Sequence, residues 1–198
     1  VPKVRPCAQH MLESLEAELR NTRPRFAVID HISSQPALLM PVKEMVEMCR
    51  EHGVEEVCVD AAHALGQVDV DVRDIGADFY LSNLHKWAFS AGPVTALHCA
   101  SVGLAARTDH PVPSWHAGLG VVRESRWAGT RDYAPTLAAP DALRYLDTWR
   151  SIDGLRAIEF NQHGVREALN MLCRAWGVEP AQADECVASM SMLRLPRE

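Results

Sequence analysis

The chain has 198 residues, a net charge of −6 and 47% hydrophobic residues, which is typical of an ordinary globular protein. The mild negative charge and the lack of a Lys/Arg cluster argue against a nucleic-acid-binding surface. No apolar run approaches the roughly 20 residues that cross a membrane. The chain begins at Val1 without a signal-peptide pattern, and its six cysteines are irregularly spaced. We therefore expect no nucleic-acid or membrane partner, no disulfide framework, and a reducing compartment, the cytoplasm or an organelle matrix.

The first half of the chain alternates predicted helices with short apolar runs. Leucines at helical spacing predict a helix over residues 11–20, and a second apolar stripe predicts a helix from Pro41 to about His52. A short helix is predicted at 72–75. Apolar runs that are too short for helices predict strands at 25–31, 54–60, 78–81 and 93–98. This order, with its short links, predicts an α/β sheet with helices on both faces.

The second half of the chain is less regular. Residues 108–140 are rich in Gly, Pro and Trp and show little periodicity, which predicts a long, ordered loop. Residues 141–176 are predicted to be helical, with a break near Asp153 and Gly154. The apolar residues within 186–195 predict a strand. The regular sheet is therefore expected in the first half of the chain.

Residues with useful chemistry follow three of the predicted strands. His31 and Asp60 each end a strand, and the sequence SNLHKW at 82–87 places Lys86 just after another. Because ligands collect at the carboxyl ends of strands in open α/β sheets, these residues are expected to converge. Enzymes that use pyridoxal phosphate (PLP) need a lysine amine for a Schiff base and a carboxylate that keeps the pyridinium nitrogen protonated. The sequence therefore predicts a PLP site built on Lys86 and Asp60.

Two histidines beside this pair have several possible roles. His63 lies three residues after Asp60 and is expected to hydrogen-bond the cofactor or stack near it, or alternatively to be a satisfied core histidine. His85 is expected to contact phosphate, relay protons or support the lysine loop. A competing interpretation makes His31, His63, His85 and Asp60 metal ligands. Their spacing matches no compact zinc pattern, so no metal is predicted.

The chain resembles the class V aminotransferase family, the fold-type I PLP enzymes of the cysteine desulfurase and isopenicillin N epimerase type. The resemblance is carried by FAVIDHISSQPALLMPV, VCVDAAHALGQVDVDVRDIGADFYLSNLHKW and WAGTRDYAPTLAAP. Within the family, the sequence around Lys86 is similar to that of plant-type L-cysteine desulfhydrases. The resemblance implies a mixed, mostly parallel sheet in a partial PLP-binding large domain over 1–139. Interdomain helices and the start of the C-terminal small domain are implied over 140–198.

The resemblance also implies roles for individual residues. Lys86 matches the internal-aldimine lysine, and Lys86, His63 and His85 are the implied catalytic residues. The implied cofactor-binding residues are Asp60, His63, Ser34, Asn83, His85, Lys86 and Thr130. Among these, Thr130 is expected to reach the phosphate of the neighbouring subunit's cofactor. Arg131 is expected to support that loop or to approach a substrate carboxylate.

These roles imply a PLP-dependent carbon–sulfur lyase that acts on L-cysteine or a related amino acid and releases sulfide, pyruvate and ammonia. A cysteine desulfurase, a sulfoxide lyase and an epimerase are the alternatives within the family. A homodimer with its active sites at the subunit interface is implied as well. The family's phosphate-binding turn would precede Val1 and most of its small domain would follow Glu198, so the chain is interpreted as partial. A catalytically inactive fragment that acts only in dimerisation is therefore another alternative.

Overall fold

The computed structural model describes residues 5–127 and 129–196. The helices are α1 (Ala8–Thr22), α2 (Val42–Glu51), α3 (Val72–Ile75), α4 (Leu84–Trp87), α5 (Val102–Arg107), α6 (Val121–Glu124), α7 (Ala134–Thr148) and α8 (Ala157–Trp176), with a 3-10 turn at Asp184–Cys186. The strands are β1 (Phe26–Asp30), β2 (Glu56–Asp60), β3 (Phe79–Asn83) and β4 (Thr95–Cys99). Helices and strands alternate through the first half of the chain, as the sequence predicts.

The four strands form one sheet in the order β1-β2-β3-β4. The first three are parallel, and β4 runs antiparallel to β3. Asp30 pairs in register with Asp60, and Asp60 with Leu81, so the carboxyl ends of the parallel strands lie side by side. The predicted mixed, mostly parallel α/β sheet is therefore confirmed.

One face of the sheet packs into the main apolar core. It contributes Ile29, Val57, Val59 and Tyr80, and the two valines have no exposed surface. Helix α2 covers this face with the apolar stripe that the sequence predicts, namely Val42, Met45, Val46 and Cys49. Full burial of one such side chain stabilises the fold by about 1.5–3 kcal/mol. This packing fixes the orientation of β1 and β2, and with them the ends of both strands.

The opposite face is much more open over β1. Phe26 is 49% exposed and Val28 is 64% exposed. Because side chains alternate between the two faces of a strand, Asp30 and Asp60 lie on this same open side. The open face therefore ends in two carboxylates at the carboxyl edge of the parallel strands.

Helix α7 begins inside the segment that was predicted to be a loop. It starts at Ala134, so the predicted loop over 108–140 is too long by its last seven residues. Pro135 lies in the first helical turn, where its missing N–H needs no partner, and Pro140 lies within the helix. The helix crosses residue 140, so the domain boundary there stays a prediction. The predicted break near Asp153 is confirmed, because α7 and α8 are separated at that point.

The predicted strand at 186–195 is wrong. Beyond the 3-10 turn, this segment makes only an isolated bridge between Pro180 and Leu193. Its backbone instead bonds to two buried glutamine side chains. Ser189 N–H donates to Gln67 Oε1 at 2.9 Å. Met192 N–H donates to Gln182 Oε1 at 3.1 Å. The segment is therefore satisfied by side-chain amides that its own sequence does not reveal.

All six cysteines carry free thiols. Burial raises the pKa of the Cys49 thiol, and it raises the pKa of Cys186 to about 11, so both stay protonated and unreactive at neutral pH. Over 5–127 and 129–196, no helix is both long enough and apolar enough to cross a lipid bilayer.

Candidate active site

Asp60 is the last residue of β2, at the carboxyl edge of the sheet. Its Oδ1 accepts the N–H of Ala62 at 2.9 Å, which orients the carboxylate at the strand end. Over the described ranges, no hydrogen bond occupies its second oxygen, Oδ2. Asp60 thus presents a half-buried carboxylate with one oxygen available on the open side of the sheet.

Lys86 is held by α4, a single helical turn that follows β3 directly. Leu84 is buried in a second apolar cluster and anchors the turn, whereas Lys86 is exposed. The Lys86 Nζ lies 3.0 Å from Nε2 of His63, in the loop after β2. Two neighbouring strand ends therefore bring the lysine amine and an imidazole into direct contact.

His63 is contacted at both ring nitrogens and at its backbone. The indole Nε1–H of Trp87 donates to His63 Nδ1 at 3.2 Å, and Gln67 Nε2 donates to the His63 carbonyl at 2.8 Å. Burial lowers the pKa of His63, the Lys86 charge lowers it further, and nearby carboxylates partly oppose both effects. His63 is therefore neutral at neutral pH. We refer to Asp60, His63, Lys86 and Trp87 as the lysine cluster.

Gly66 allows the loop after β2 to approach α4 closely. Its φ is +92°, and a Cβ at this position would lie 2.2 Å from the backbone oxygen of Trp87. Any side chain here would push the two loops apart. Ser82 ties the loop to β3 from the other side, because its hydroxyl donates to the Ala61 carbonyl at 2.7 Å. The contact between His63 and α4 therefore depends on backbone packing as well as on side chains.

His85 and Asn83 face β4. The N–H of Val94 donates to His85 Nδ1 at 3.1 Å, and the Thr95 hydroxyl donates to Asn83 Oδ1 at 2.6 Å. The His85 ring is thus committed to the backbone at the start of β4. Of the roles considered for His85, this geometry favours support of the lysine loop. The catalytic role of His85 and the cofactor contact of Asn83 stay predictions.

His31 does not join the lysine cluster, so its expected convergence with Asp60 and Lys86 is wrong. Its side chain is on the buried face, where Nδ1 lies 2.9 Å from the Tyr80 hydroxyl, and burial lowers the pKa of His31 to about 4. Asp30 takes the expected place because strand alternation turns it toward Asp60. Burial, and then the Asp60 charge, raise the pKa of Asp30. Asp30 directly follows the buried Ile29, so strand alternation places it on the opposite, open face. This alternation is the sequence signal that could have identified Asp30.

The structure also describes Ser34, Thr130 and Arg131, for which the sequence predicts site roles. Over 5–127 and 129–196, no hydrogen bond or ion pair joins any of them to the lysine cluster. Ser34 is exposed in the loop after β1, and Thr130 is exposed before α7. The Arg131 guanidinium lies over the Tyr133 ring, 4.9 Å from its centroid. The roles that the sequence predicts for these three residues stay predictions.

The groups present can hold PLP. An exposed lysine amine can bind the cofactor aldehyde, and a carboxylate with a free oxygen can pair with a pyridinium nitrogen. The described residues contain no group of three or more His, Cys, Asp or Glu side chains placed to hold a metal ion. The chemistry of the lysine cluster is thus that of an amine, a carboxylate and a neutral imidazole.

Comparisons with known proteins agree with this chemistry. The family model described as aminotransferase class-V matches residues 2–107. L-cysteine desulfhydrase of Arabidopsis thaliana is 44% identical over 187 residues, which is 93% of this chain and 40% of that protein. Isopenicillin N epimerase of Streptomyces clavuligerus is 32% identical over 139 residues, covering 62% of this chain and 34% of that protein. The chain thus spans about two fifths of the length of the desulfhydrase.

Solved structures show the same fold. The cysteine desulfurase from Thermococcus onnurineus NA1 has a TM-score of 0.67 at 17% identity, over 90% of this chain and 45% of that chain. Alanine–glyoxylate aminotransferase from Nostoc sp. has a TM-score of 0.68 at 20% identity, over 90% of this chain and 48% of that chain. At these identities the likeness concerns the fold alone.

Proposed function

Because this chain belongs to the aminotransferase class-V family, we propose that the protein is a PLP-dependent carbon–sulfur lyase. Its substrate would be L-cysteine or a close relative, and cysteine plus water would give sulfide, pyruvate and ammonia. The observation that carries the proposal is the 3.0 Å contact between Lys86 Nζ and His63 Nε2 at the strand edge that holds Asp60. The desulfhydrase that is 44% identical over 93% of this chain supports the choice of substrate.

PLP, when bound, supplies an electron sink for the electron pair left at the substrate Cα. Lys86 would hold the cofactor through its amine. Asp60 would keep a proton at the ring nitrogen through Oδ2, the carboxylate oxygen that makes no hydrogen bond with any residue that the structure describes. His63, which is neutral, would donate a hydrogen bond from Nε2 to an acceptor beside Lys86. Lys86 would thus attach the cofactor, Asp60 would compensate its charge and His63 would orient it.

Lys86 has a second task once the substrate amine has displaced it. Its free amine would then take the proton from the substrate Cα, as a general base. An amine must be uncharged to accept a proton. Because His63 is neutral, it places no positive charge beside Lys86 that would repel the charge that the amine gains with the proton. Loss of the β-sulfur as sulfide follows the removal of this proton. Water then completes the reaction to pyruvate and ammonia.

The protein is also proposed to be a homodimer in which Thr130 acts at the partner's site and Arg131 supports that loop or approaches a substrate carboxylate. Both residues are exposed, and over the described ranges neither makes a hydrogen bond or ion pair with the lysine cluster of its own chain. Trp115 and Leu137, which are exposed in the same half of the chain, offer apolar surface for such a contact. A reducing compartment, the cytoplasm or an organelle matrix, is supported by the free thiols.

The experiment measures sulfide and pyruvate released from L-cysteine by the full-length protein in the presence of PLP. Lys86→Ala is expected to reduce the rate by about 10²–10⁴-fold, the usual contribution of a general base. Lys43→Ala is the matched control, since Lys43 is an exposed lysine whose partner is Asp74. Borohydride reduction should fix the cofactor on Lys86.

Each other outcome has a definite meaning. Equal sulfide release by the Lys86→Ala protein would refute the proposed chemistry. Release of alanine with sulfur left on the protein would indicate a desulfurase. Neither cofactor trapping nor turnover would favour a protein that acts only in dimerisation.

A further inference from the structure

Tyr133, the residue before α7, contacts three parts of the segment that precedes it. Its hydroxyl donates to the Gly129 carbonyl at 2.9 Å. Its ring stacks with the Trp127 indole, with the ring centroids 5.9 Å apart and an angle of 16° between the planes. The Arg131 guanidinium lies over the same ring, 4.9 Å from its centroid. One half-buried tyrosine thus holds a backbone carbonyl through its hydroxyl and two side chains through its ring.

The hydrogen bond from Tyr133 sets the direction of the peptide group between Gly129 and Thr130. This peptide bond is not among the cis bonds of the described residues, so its carbonyl and its N–H point in opposite directions. Because the carbonyl is held toward the Tyr133 hydroxyl, the Thr130 N–H points away from it. The φ of Gly129 is +90°, which a side chain would strain, so the turn itself also needs a glycine here.

The groups around this turn can all donate hydrogen bonds. Over 5–127 and 129–196, no hydrogen bond occupies the N–H or the hydroxyl of Thr130, and no ion pair involves Arg131. Both residues are exposed. The neighbouring carboxylate, Asp132, accepts the N–H of Ala134 at 2.8 Å and so faces the start of α7. Two neutral donors beside a guanidinium suit an anion with several acceptor oxygens, such as a phosphate group.

We propose that Tyr133 is a positioning residue that holds the Gly129–Thr130 peptide with its N–H outward, so that Thr130 donates to the phosphate of PLP at the partner's site. Tyr133 acts through Thr130 and does not itself contact the phosphate. The identity of the anion and its place at the partner's site rest on the proposed function. The direction of the peptide group rests only on the contacts of this chain.

Two tyrosine variants separate this role from packing. Tyr133→Phe keeps the ring that contacts Trp127 and Arg131, but it removes the hydroxyl that holds the Gly129 carbonyl. If Tyr133 served packing alone, this variant would leave phosphate binding unchanged. Tyr145→Phe is the matched control, because Tyr145 lies on α7, its ring contacts Phe89 and its hydroxyl makes no hydrogen bond with any described residue.

The test is NMR of the cofactor-free, full-length protein labelled with ¹³C-carbonyl glycine and ¹⁵N-threonine. The pair Gly-Thr occurs once in these 198 residues, at 129–130, so a signal that requires both labels reports on this peptide group. Its assignment is checked by its loss in Thr130→Ser.

Inorganic phosphate should shift the Thr130 N–H signal in a saturable way. In Tyr133→Phe, the phosphate concentration for half-saturation should rise about two- to tenfold, the usual effect of one lost hydrogen bond. Tyr145→Phe should leave this concentration unchanged. A Thr130 N–H that does not respond to phosphate in the unaltered protein would overturn the inference, and so would an unchanged half-saturation in a folded Tyr133→Phe protein.

A second measurement applies if Tyr133→Phe fails to fold. In the unaltered protein, the outward Thr130 N–H should exchange rapidly with solvent without phosphate and more slowly when phosphate is bound. Equal exchange rates, or a Thr130 N–H that is already protected without phosphate, would overturn the inference.

None of these readouts needs turnover. A protein that binds phosphate at Thr130 but releases no sulfide from L-cysteine would refute the proposed function alone. A protein that releases sulfide while its Thr130 N–H does not respond to phosphate would refute the positioning role alone.

Discussion

The two faces of the sheet use the same strands for opposite purposes. On the buried face, Ile29 and Val59 pack into the core, and His31 is held neutral beside Tyr80. On the open face of β1, Val28 is 64% exposed, and Asp30 at the strand end lies beside a second carboxylate. Neighbouring residues of one strand thus contribute either to the stability of the core or to the chemistry of the open face, according to the face on which they lie.

This division explains how a polar site can lie next to a tightly packed core. The side chains that fix the strands do not point at the lysine cluster, so the cluster can hold uncompensated polar groups without exposing the core. Conversely, substitutions on the open face should affect chemistry and charge more than folding. Substitutions that pair a buried or site residue with an exposed one therefore test this division.

The largest effect is expected for adjacent residues of β1. Ile29→Ala removes buried methyl groups and should lower the free energy of unfolding by about 2–5 kcal/mol. Val28→Ala, one residue earlier on the open face, should change it by no more than about 0.5 kcal/mol. Urea unfolding of both variants measures the difference. Equal losses would mean that the open face is covered in solution and that the comparison between the faces is wrong.

The next effect concerns the loss of stability at acidic pH. The pKa of His31 is about 4 in the folded protein and close to 6.5 when unfolded, so the unfolded chain binds more protons between these values. Stability should therefore fall by up to about 3 kcal/mol as the pH drops from 6.5 to 4. His31→Gln should remove this dependence, and exposed His10→Gln should retain it. Unfolding curves across this pH range decide the matter, and an unchanged slope in His31→Gln would refute it.

A third effect concerns the glutamine that joins the site loop to the C-terminal segment. Gln67 has no exposed surface, and Gln67→Met would leave the His63 carbonyl and the Ser189 N–H without their partners. The expected loss is about 2–3 kcal/mol, with faster amide exchange over 186–192. Gln9→Met, on the exposed side of α1, is the control. Unchanged exchange at Ser189 would show that Gln67 does not hold this segment.

Much of the fold follows from local patterns. The predicted short helix at 72–75 is observed as α3, and the predicted strands lie within about two residues of β1 to β4. These elements have a clear period or a clear cap, such as Asp71, whose side chain accepts the N–H of Arg73 at 2.9 Å. The strand prediction for 186–195 fails because the partners of this segment are side-chain amides and not a neighbouring strand, and one of them, Gln67, is 122 residues from Ser189. The local apolar pattern cannot reveal that the Gln67 side chain accepts a backbone hydrogen bond that a neighbouring strand would otherwise accept.

The site shows the same limit. Asp60 and Lys86 were predictable because strand ends of a parallel sheet meet at one edge. His31 was misassigned because its position along the chain was considered without the face of the sheet to which its side chain points. The indole contact of Trp87 with His63 joins two loops, and nothing in the spacing of HKW indicates which ring nitrogen the indole reaches. The meeting of residues at strand ends was thus easier to predict than a side-chain contact between two loops.

The smallest effect concerns the two carboxylates of the open face. The Asp60 charge adds to the effect of burial in raising the pKa of Asp30, so Asp60→Asn should lower the pKa of Asp30 toward its ordinary value. Burial, which is the larger cause, remains, so the pKa should stay above that value. The free energy of unfolding should change by no more than about 0.5 kcal/mol, because both groups are at the edge of the open face. Carbon NMR of the Asp30 carboxyl during a pH titration measures the shift, with Glu13→Gln on α1 as a charge-matched control. An Asp30 pKa that responds equally to both substitutions would mean that Asp30 and Asp60 do not share a face, and the register of β1 with β2 would then need revision.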